Sequence, residues 1–224
     1  MKRLYLLLIL LSCNLAIMAQ TVSSEILNSS LYGKTINVIG DSYVRNHLRP
    51  VEESWHAKVA KKYHMKYNNY GRNGVCIAFD RERFGKSLLT QYAQMNDSAD
   101  YVLVIAGHND AEFVKNNSDS LLIVSDAMDK LCKSLIAKYP SAKIAFVTPW
   151  NAPRQGFQQV IGVMEEICAK YSIPIFNAAK KSGIYVWDEA FRKLYFQSPN
   201  DTAHLNDMGH NLFMNKGEKF LLGL

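Results

Sequence analysis

Cysteine is scarce in this chain, with four in 224 residues, at positions 13, 76, 132 and 168. None has Cys-x-x-Cys spacing, so they describe neither a dense disulfide framework nor a zinc site. A single disulfide stays open in an oxidising compartment. His-Glu-x-x-His is missing, because neither His56 and His64 nor His204 and His210 have that spacing, which argues against a zinc enzyme. No Gly-x-Ser-x-Gly occurs, which argues against an α/β-hydrolase elbow. Gly85-Lys86-Ser87 lacks the earlier glycine of a phosphate loop, since position 80 is Asp80, and a helix start explains it better. Asn69 to Gly74 lacks the first glycine of a dinucleotide fingerprint. Linkers, repeats and low-complexity tracts are also missing, so one domain is expected.

Charge of one sign is in slight excess without being gathered anywhere. Lys and Arg number 26 against 20 Asp and Glu, a formal +6. The pairs Lys61-Lys62 and Lys180-Lys181 suit solvated helix faces, and without a basic stripe nucleic acid is not an expected partner. Apolar residues make up 48% of the chain and charged residues 21%, the balance of a globular protein.

Met1-Lys2-Arg3 is a short basic start, Leu4 to Leu11 is almost unbroken apolar chain, and Ala19 is a small residue before Gln20. That order reads as an export signal spanning residues 1–19, removed to leave a single domain over residues 20–224. The apolar run is too short to span a bilayer comfortably, so no transmembrane helix is expected and the mature chain would be periplasmic or extracellular. A rival reading takes Leu10-Leu11-Ser12-Cys13 as a lipobox with Cys13 lipidated. Against it, Leu15, Ala16, Ile17 and Met18 continue the apolar run past that cysteine.

Short β-rich runs alternate with longer amphipathic ones. Strands are predicted at Thr35 to Ile39, Met65 to Tyr70, Tyr101 to Ala106, Lys143 to Val147 and Ile173 to Phe176. Helices are predicted at Ser54 to His64, Phe84 to Met95, Asp119 to Tyr139, Val160 to Tyr171 and Asn206 to Leu222. Such alternation implies an α/β fold, a three-layer α/β/α sandwich around a parallel sheet of about five strands with right-handed crossovers. Sheets of this kind bind ligands at the carboxyl ends of their strands. There the sequence places Gly40-Asp41-Ser42, Gly71-Arg72-Asn73-Gly74 and Gly107-His108-Asn109-Asp110, with Asp201-Thr202-Ala203-His204 ahead of the last helix.

A serine hydroxyl needs a base within reach, imidazole is the usual one near neutral pH, and the imidazole needs a partner to hold its tautomer. Asp201 and His204, three residues apart, can form that pair within one loop. Charge developing on a substrate oxygen needs preorganised donors, which glycine N–H groups and an asparagine amide supply.

These blocks resemble the SGNH hydrolases, the GDSL-like lipases and esterases, across about Ile36 to His210. The resemblance makes Ser42 the nucleophile and Asp201 and His204 its acid–base partners. It makes Gly74, Asn109 and the Ser42 N–H the oxyanion donors. Alignment of the two glycines selects Gly74 over Gly71. It further implies a flavodoxin-like sheet, no metal or organic cofactor, and hydrolysis of carboxylic esters. The substrate would be a small-molecule or carbohydrate ester, with O-acetyl groups on sugars as one case. A lipid-directed hydrolase or acyltransferase using the same residues is the alternative, and a catalytically silent carbohydrate-binding relative is the third reading. Tyr43 stands where the family commonly has Leu or Ile, and Arg72 and His108 occupy variable positions. Arg72, His108 and Trp150 are candidate substrate contacts, and Trp187 lies in a segment that could also rim the site. Against these stand ordinary packing for the two indoles and a solvated arginine for Arg72. His210 reads as a helix residue, not a second base.

Overall fold

A computed structural model describes residues 23–115 and 117–224. The export signal expected at residues 1–19, and lipidation of Cys13, lie outside the described residues. Five strands are present: β1 (Thr35–Gly40), β2 (Lys66–Gly71), β3 (Tyr101–Ile105), β4 (Lys143–Val147) and β5 (Ile175–Phe176). All pair in parallel in the order β2-β1-β3-β4-β5. Among the described residues the α-helices are α1 (Ser24–Leu27), α2 (Ser42–Arg45), α3 (Trp55–Lys62), α4 (Leu88–Gln91), α5 (Ala111–Val114), α6 (Ser118–Lys138), α7 (Phe157–Lys170), α8 (Ala178–Lys181), α9 (Glu189–Tyr195) and α10 (Asp207–Leu222). No helix among the described residues is long and apolar enough to cross a membrane.

Strand periodicity decides the layers. Along β3, Val102 and Val104 face the core beneath α6 and α7, while Tyr101, Leu103 and Ile105 face the core beneath α3 and α10. Both faces of the central strands are therefore covered, as a near-continuous apolar run such as Tyr101–Ile105 requires. The strand order reverses direction at β1, whose neighbours β2 and β3 both follow it in sequence. This is a flavodoxin-like switch point, and the crevice beyond the carboxyl ends of β1 and β3 is where such sheets take ligands.

The expected α/β/α sandwich is what the chain forms, with local differences. The helix expected over Phe84 to Met95 is confined to Leu88–Gln91 and a following 3₁₀ turn at Tyr92–Gln94. Upstream, Arg81 and Gly85 form a bridge, Gly85 takes φ +98°, and the Asp80 carboxylate accepts from Ser87 N at 2.8 Å. Those side-chain and glycine contacts offer the backbone an alternative to the helix. Strand β5 is two residues long, and α7 begins three residues earlier than the periodicity suggests. Cys76, Cys132 and Cys168 are buried free thiols, so the disulfide left open among them does not form.

Candidate active site

Asp41 closes β1 and starts α2. Its Oδ1 accepts from Tyr43 N at 2.9 Å, capping a single helical turn that ends at Asn46 in left-handed conformation. Ser42 thus stands at the first position of that turn, 6% exposed. The facing loop runs from α9 to α10 and is pinned at its neck. Gln197 N donates to His204 O at 2.9 Å and Asn206 N to Tyr195 O at 2.9 Å. Inside it the Asp201 Oδ1 accepts from the N–H groups of Ala203 at 2.8 Å and His204 at 3.0 Å. The other carboxylate oxygen meets His204 Nδ1 at 2.9 Å, and His204 Nε2 lies 2.8 Å from Ser42 Oγ. Burial pushes the Asp201 carboxyl upward, but the His204 hydrogen bond, the His204 charge and the two amides outweigh it and hold the group below its ordinary value.

The glycines of the second block do different things. Gly71 N–H is taken by Asn69 Oδ1 at 2.8 Å, and a Cβ there would sit 2.4 Å from Arg45 N, so this glycine lets β2 pack on α2. Gly74 has φ +76°, and its N–H, like that of Ser42, has no acceptor among the described residues. Asn109, 8% exposed, turns its amide inward, donating to Val75 O at 2.9 Å and less closely to Asp41 Oδ2 at 3.3 Å. Asp41 is fully buried beside Asp110, which accepts from Ile77 N and Ala78 N at 2.8 and 3.0 Å. Desolvation above all pushes Asp41 up to about 8, against the pull of the Tyr43 N–H, and the Asp110 charge adds to the rise.

Of the three candidate substrate contacts, two are buried and one is exposed. His108 is 6% exposed, with Nδ1 3.4 Å from the Tyr43 hydroxyl, and burial together with the nearby Arg154 holds its imidazole neutral down to about 3. Trp150 is 2% exposed and donates Nε1–H to Ala203 O at 2.9 Å, from beneath the Asp201–His204 loop. Arg72 is exposed, its guanidinium lying over Gly85. Tyr43 fills the space under the site, its ring tilted against those of His108, Trp150 and His204. His210 is 3% exposed within α10, accepting from Trp55 N and facing Asn46 Oδ1 at 3.0 Å.

His47 stands at the site although no sequence block points to it. The His47 ring stacks on that of His204, with centroids 4.0 Å apart and planes 11° from parallel. Asn46 and His47 both have positive φ, 62° and 46°. The only trace of this in sequence is residue type, because Asn and His tolerate that region better than most side chains. No group of three or more His, Cys, Asp or Glu side chains among the described residues is placed to hold a metal ion.

Known structures share this architecture. A protein from Lactobacillus plantarum superposes with a TM-score of 0.73 at 19% identity, over 85% of this chain and 97% of that one. The native aryl esterase of M. smegmatis gives 0.61 at 16% identity, over 85% and 99%. An active-site mutant of a family two carbohydrate esterase from Clostridium thermocellum gives 0.64 at 13% identity, over 86% of this chain and 64% of that one. At such identities the likeness is one of fold. No curated protein matches the chain in sequence. The family model of the GDSL-like lipases and acylhydrolases matches residues 38–212, from the middle of β1 to the first turns of α10. With four ordered blocks at one sheet edge inside that span, this chain belongs to the GDSL-like Lipase/Acylhydrolase family.

Proposed function

We propose that the chain is an exported serine esterase, working as one domain over residues 20–224, with Ser42 as nucleophile, His204 as base and acid, and Asp201 as the carboxylate that orients it. The observation that carries this reading is the continuous set of contacts from Asp201 Oδ2 through the imidazole to Ser42 Oγ, 2.9 and 2.8 Å. A carboxylate on Nδ1 favours the tautomer whose Nε2 is free to accept the serine proton. Ser42 Oγ attacks the ester carbonyl as its proton passes to Nε2. The tetrahedral oxyanion is met by the unengaged N–H groups of Ser42 and Gly74. Asn109 adds the amide proton that otherwise makes only the 3.3 Å contact to Asp41. Collapse expels the alcohol, which takes the proton back from Nε2. Water then repeats the sequence on the acyl-enzyme and releases the acid.

Membership of the acylhydrolase family supports ester hydrolysis as the reaction class. The aryl esterase and carbohydrate esterase among the structural neighbours are in keeping with it, and the latter supports O-acyl groups on carbohydrate as the substrate. The free N–H of Gly74, against the engaged one of Gly71, supports the choice of Gly74 as a donor. Replacing Ser42→Ala is expected to lower hydrolysis of p-nitrophenyl acetate by about 10⁴-fold or more, in line with the loss of other serine nucleophiles, and to abolish fluorophosphonate labelling. Undiminished turnover in that variant would overturn the assignment.

A further inference from the structure

Beyond the serine site, the turn-rich segment after α8, where Val186 N donates to Ile184 O and Asp188 N to Tyr185 O at 3.1 Å each, leaves aromatic surface in water. Its side chains alternate: Ser182, Ile184 and Val186 point inward, while Tyr185 and Trp187 are 65% and 67% exposed. Ile184-Tyr185-Val186-Trp187 is thus apolar on both faces with only one face covered. The two exposed rings, with Phe191, Asn151 and Lys180, line a groove of about 460 Å³, a size that suits small-molecule ligands. Tyr185 stands edge-on to Phe191 at 5.3 Å, which fixes its ring. Trp187 has no aromatic partner, and its Nε1 no acceptor, among the described residues.

Polar groups are interleaved with these rings. Gln158 Nε2 donates to Asn151 Oδ1 at 2.9 Å, which orients that amide and leaves its Nδ2 as a donor. Asp188 uses Oδ1 on Phe191 N at 2.6 Å and keeps Oδ2 as an acceptor. Both walls are tied to the Asp201–His204 loop. Arg192 donates Nη1–H to Val186 O at 2.7 Å and Nε–H to Pro199 O at 2.9 Å. Trp150, the neighbour of Asn151, holds Ala203 O.

Rigid flat rings with a donor and an acceptor at their edges match a pyranose, whose C–H faces lie on π systems while its hydroxyls pair with amide and carboxylate. An acyl chain needs unbroken apolar walls, which Asn151, Lys180 and Asp188 interrupt. We propose that this groove is a saccharide subsite holding the sugar of an O-acyl carbohydrate while its ester reaches Ser42. The proposal rests on the ester-hydrolase reading for its place in turnover, but not for binding.

The chain has three tryptophans, and Trp55 and Trp150 are 1% and 2% exposed, so acrylamide-quenchable fluorescence reports Trp187. In the Ser42→Ala protein, xylohexaose or cellohexaose is expected to shield that fluorescence from acrylamide by about twofold or more, and Tyr185→Ala to raise the sugar concentration needed for it about tenfold, the usual scale for losing one stacked ring. In the active enzyme, Trp187→Ala is expected to raise KM for acetylated xylo-oligosaccharide about tenfold more than for p-nitrophenyl acetate. Quenching unchanged by either hexasaccharide overturns the subsite. So does an equal KM change for both esters, a selective rise for p-nitrophenyl decanoate, or shielding that follows protein concentration alone. Shielding by sugar in a protein inert toward every ester would retain the groove and discard the esterase reading.

Discussion

His204 is held from two directions, and each has its own consequence. Along its plane, Asp201 fixes which nitrogen carries the proton. Asp201→Asn is expected to lower kcat by about 10⁴-fold while the fold persists, because an amide can hold the wrong tautomer in place. Steady-state kinetics alongside circular dichroism would check this. With Asp201 held below its ordinary value, its charge is complete throughout the weakly acid range. Across its plane, His204 lies on His47, whose pKa is lowered by burial and then by the His204 charge, so the stack has a neutral lower ring at neutral pH. His47 is a positioning residue in this scheme. His47→Ala is expected to lower kcat about 10- to 100-fold with little change in KM, the scale on which misplaced groups act, and His47→Phe to recover most of it. A loss that Phe does not recover would assign His47 some other role.

At the scale of elements, the candidate side chains come from the ends of strands and, for Asp201 and His204, from the loop between α9 and α10. Asp41, Gly71, Asn109 and Trp150 each follow or close a strand of one parallel sheet, which is why four separate loops meet. The two glycines after β2 separate stability from chemistry. A Cβ at Gly71 would meet Arg45 N at 2.4 Å, backbone against backbone, whereas one at Gly74 would meet the Phe84 ring at 2.3 Å on a loop with φ +76°. Gly71→Ala is therefore expected to lower Tm. Gly74→Ala is expected to displace a free N–H and lower kcat by about 10²-fold, the lower end of what losing one oxyanion donor costs. Thermal melts and p-nitrophenyl acetate kinetics on both variants would show whether the two effects divide in this way. The blocks themselves were legible in sequence because short loops at strand ends keep their chemistry local. His47 was not legible, since what makes it matter is a ring 157 positions away in sequence.

For the whole molecule, buried ionisable groups set a pH optimum of stability. His56 is held neutral to about 4 and His108 to about 3, and His210 lies well below the free value of 6.5, all chiefly through desolvation. The unfolded chain takes up these protons as pH falls below 6.5, so each costs stability on acidification. Asp41 at about 8 and Asp110 at about 6 are raised above the free 3.8 by the same burial, so their contribution is lost as pH rises. From about pH 4 to 6 three histidines oppose two carboxyls, and stability climbs with pH. Above about pH 7 the Asp41 linkage outweighs the fading histidine contribution, and stability falls. A maximum just above pH 6.5 is expected, with a shallow decline of about 0.5 kcal/mol by pH 8, because residual histidine protonation of the unfolded chain offsets most of the Asp41 linkage. Asp41→Asn keeps the Tyr43 cap and removes that linkage, so the decline in urea midpoints toward pH 8 should disappear. An unaltered decline would place its origin elsewhere.

The amino-acid sequence by itself determined the fold class and the family. Residue periodicity is local, and a run such as Tyr101–Ile105 has no stable place except inside a covered sheet. Four short blocks in order needed only that sheet to bring them to one edge. Tertiary structure alone decided the rest. It put Trp150 under the loop and Trp187 in water, although both are indoles near the ends of strands or helices. It confined the Phe84 helix to Leu88–Gln91, and it set His47 on His204. Burial and stacking depend on what the rest of the chain places opposite a side chain, and no local pattern carries that information.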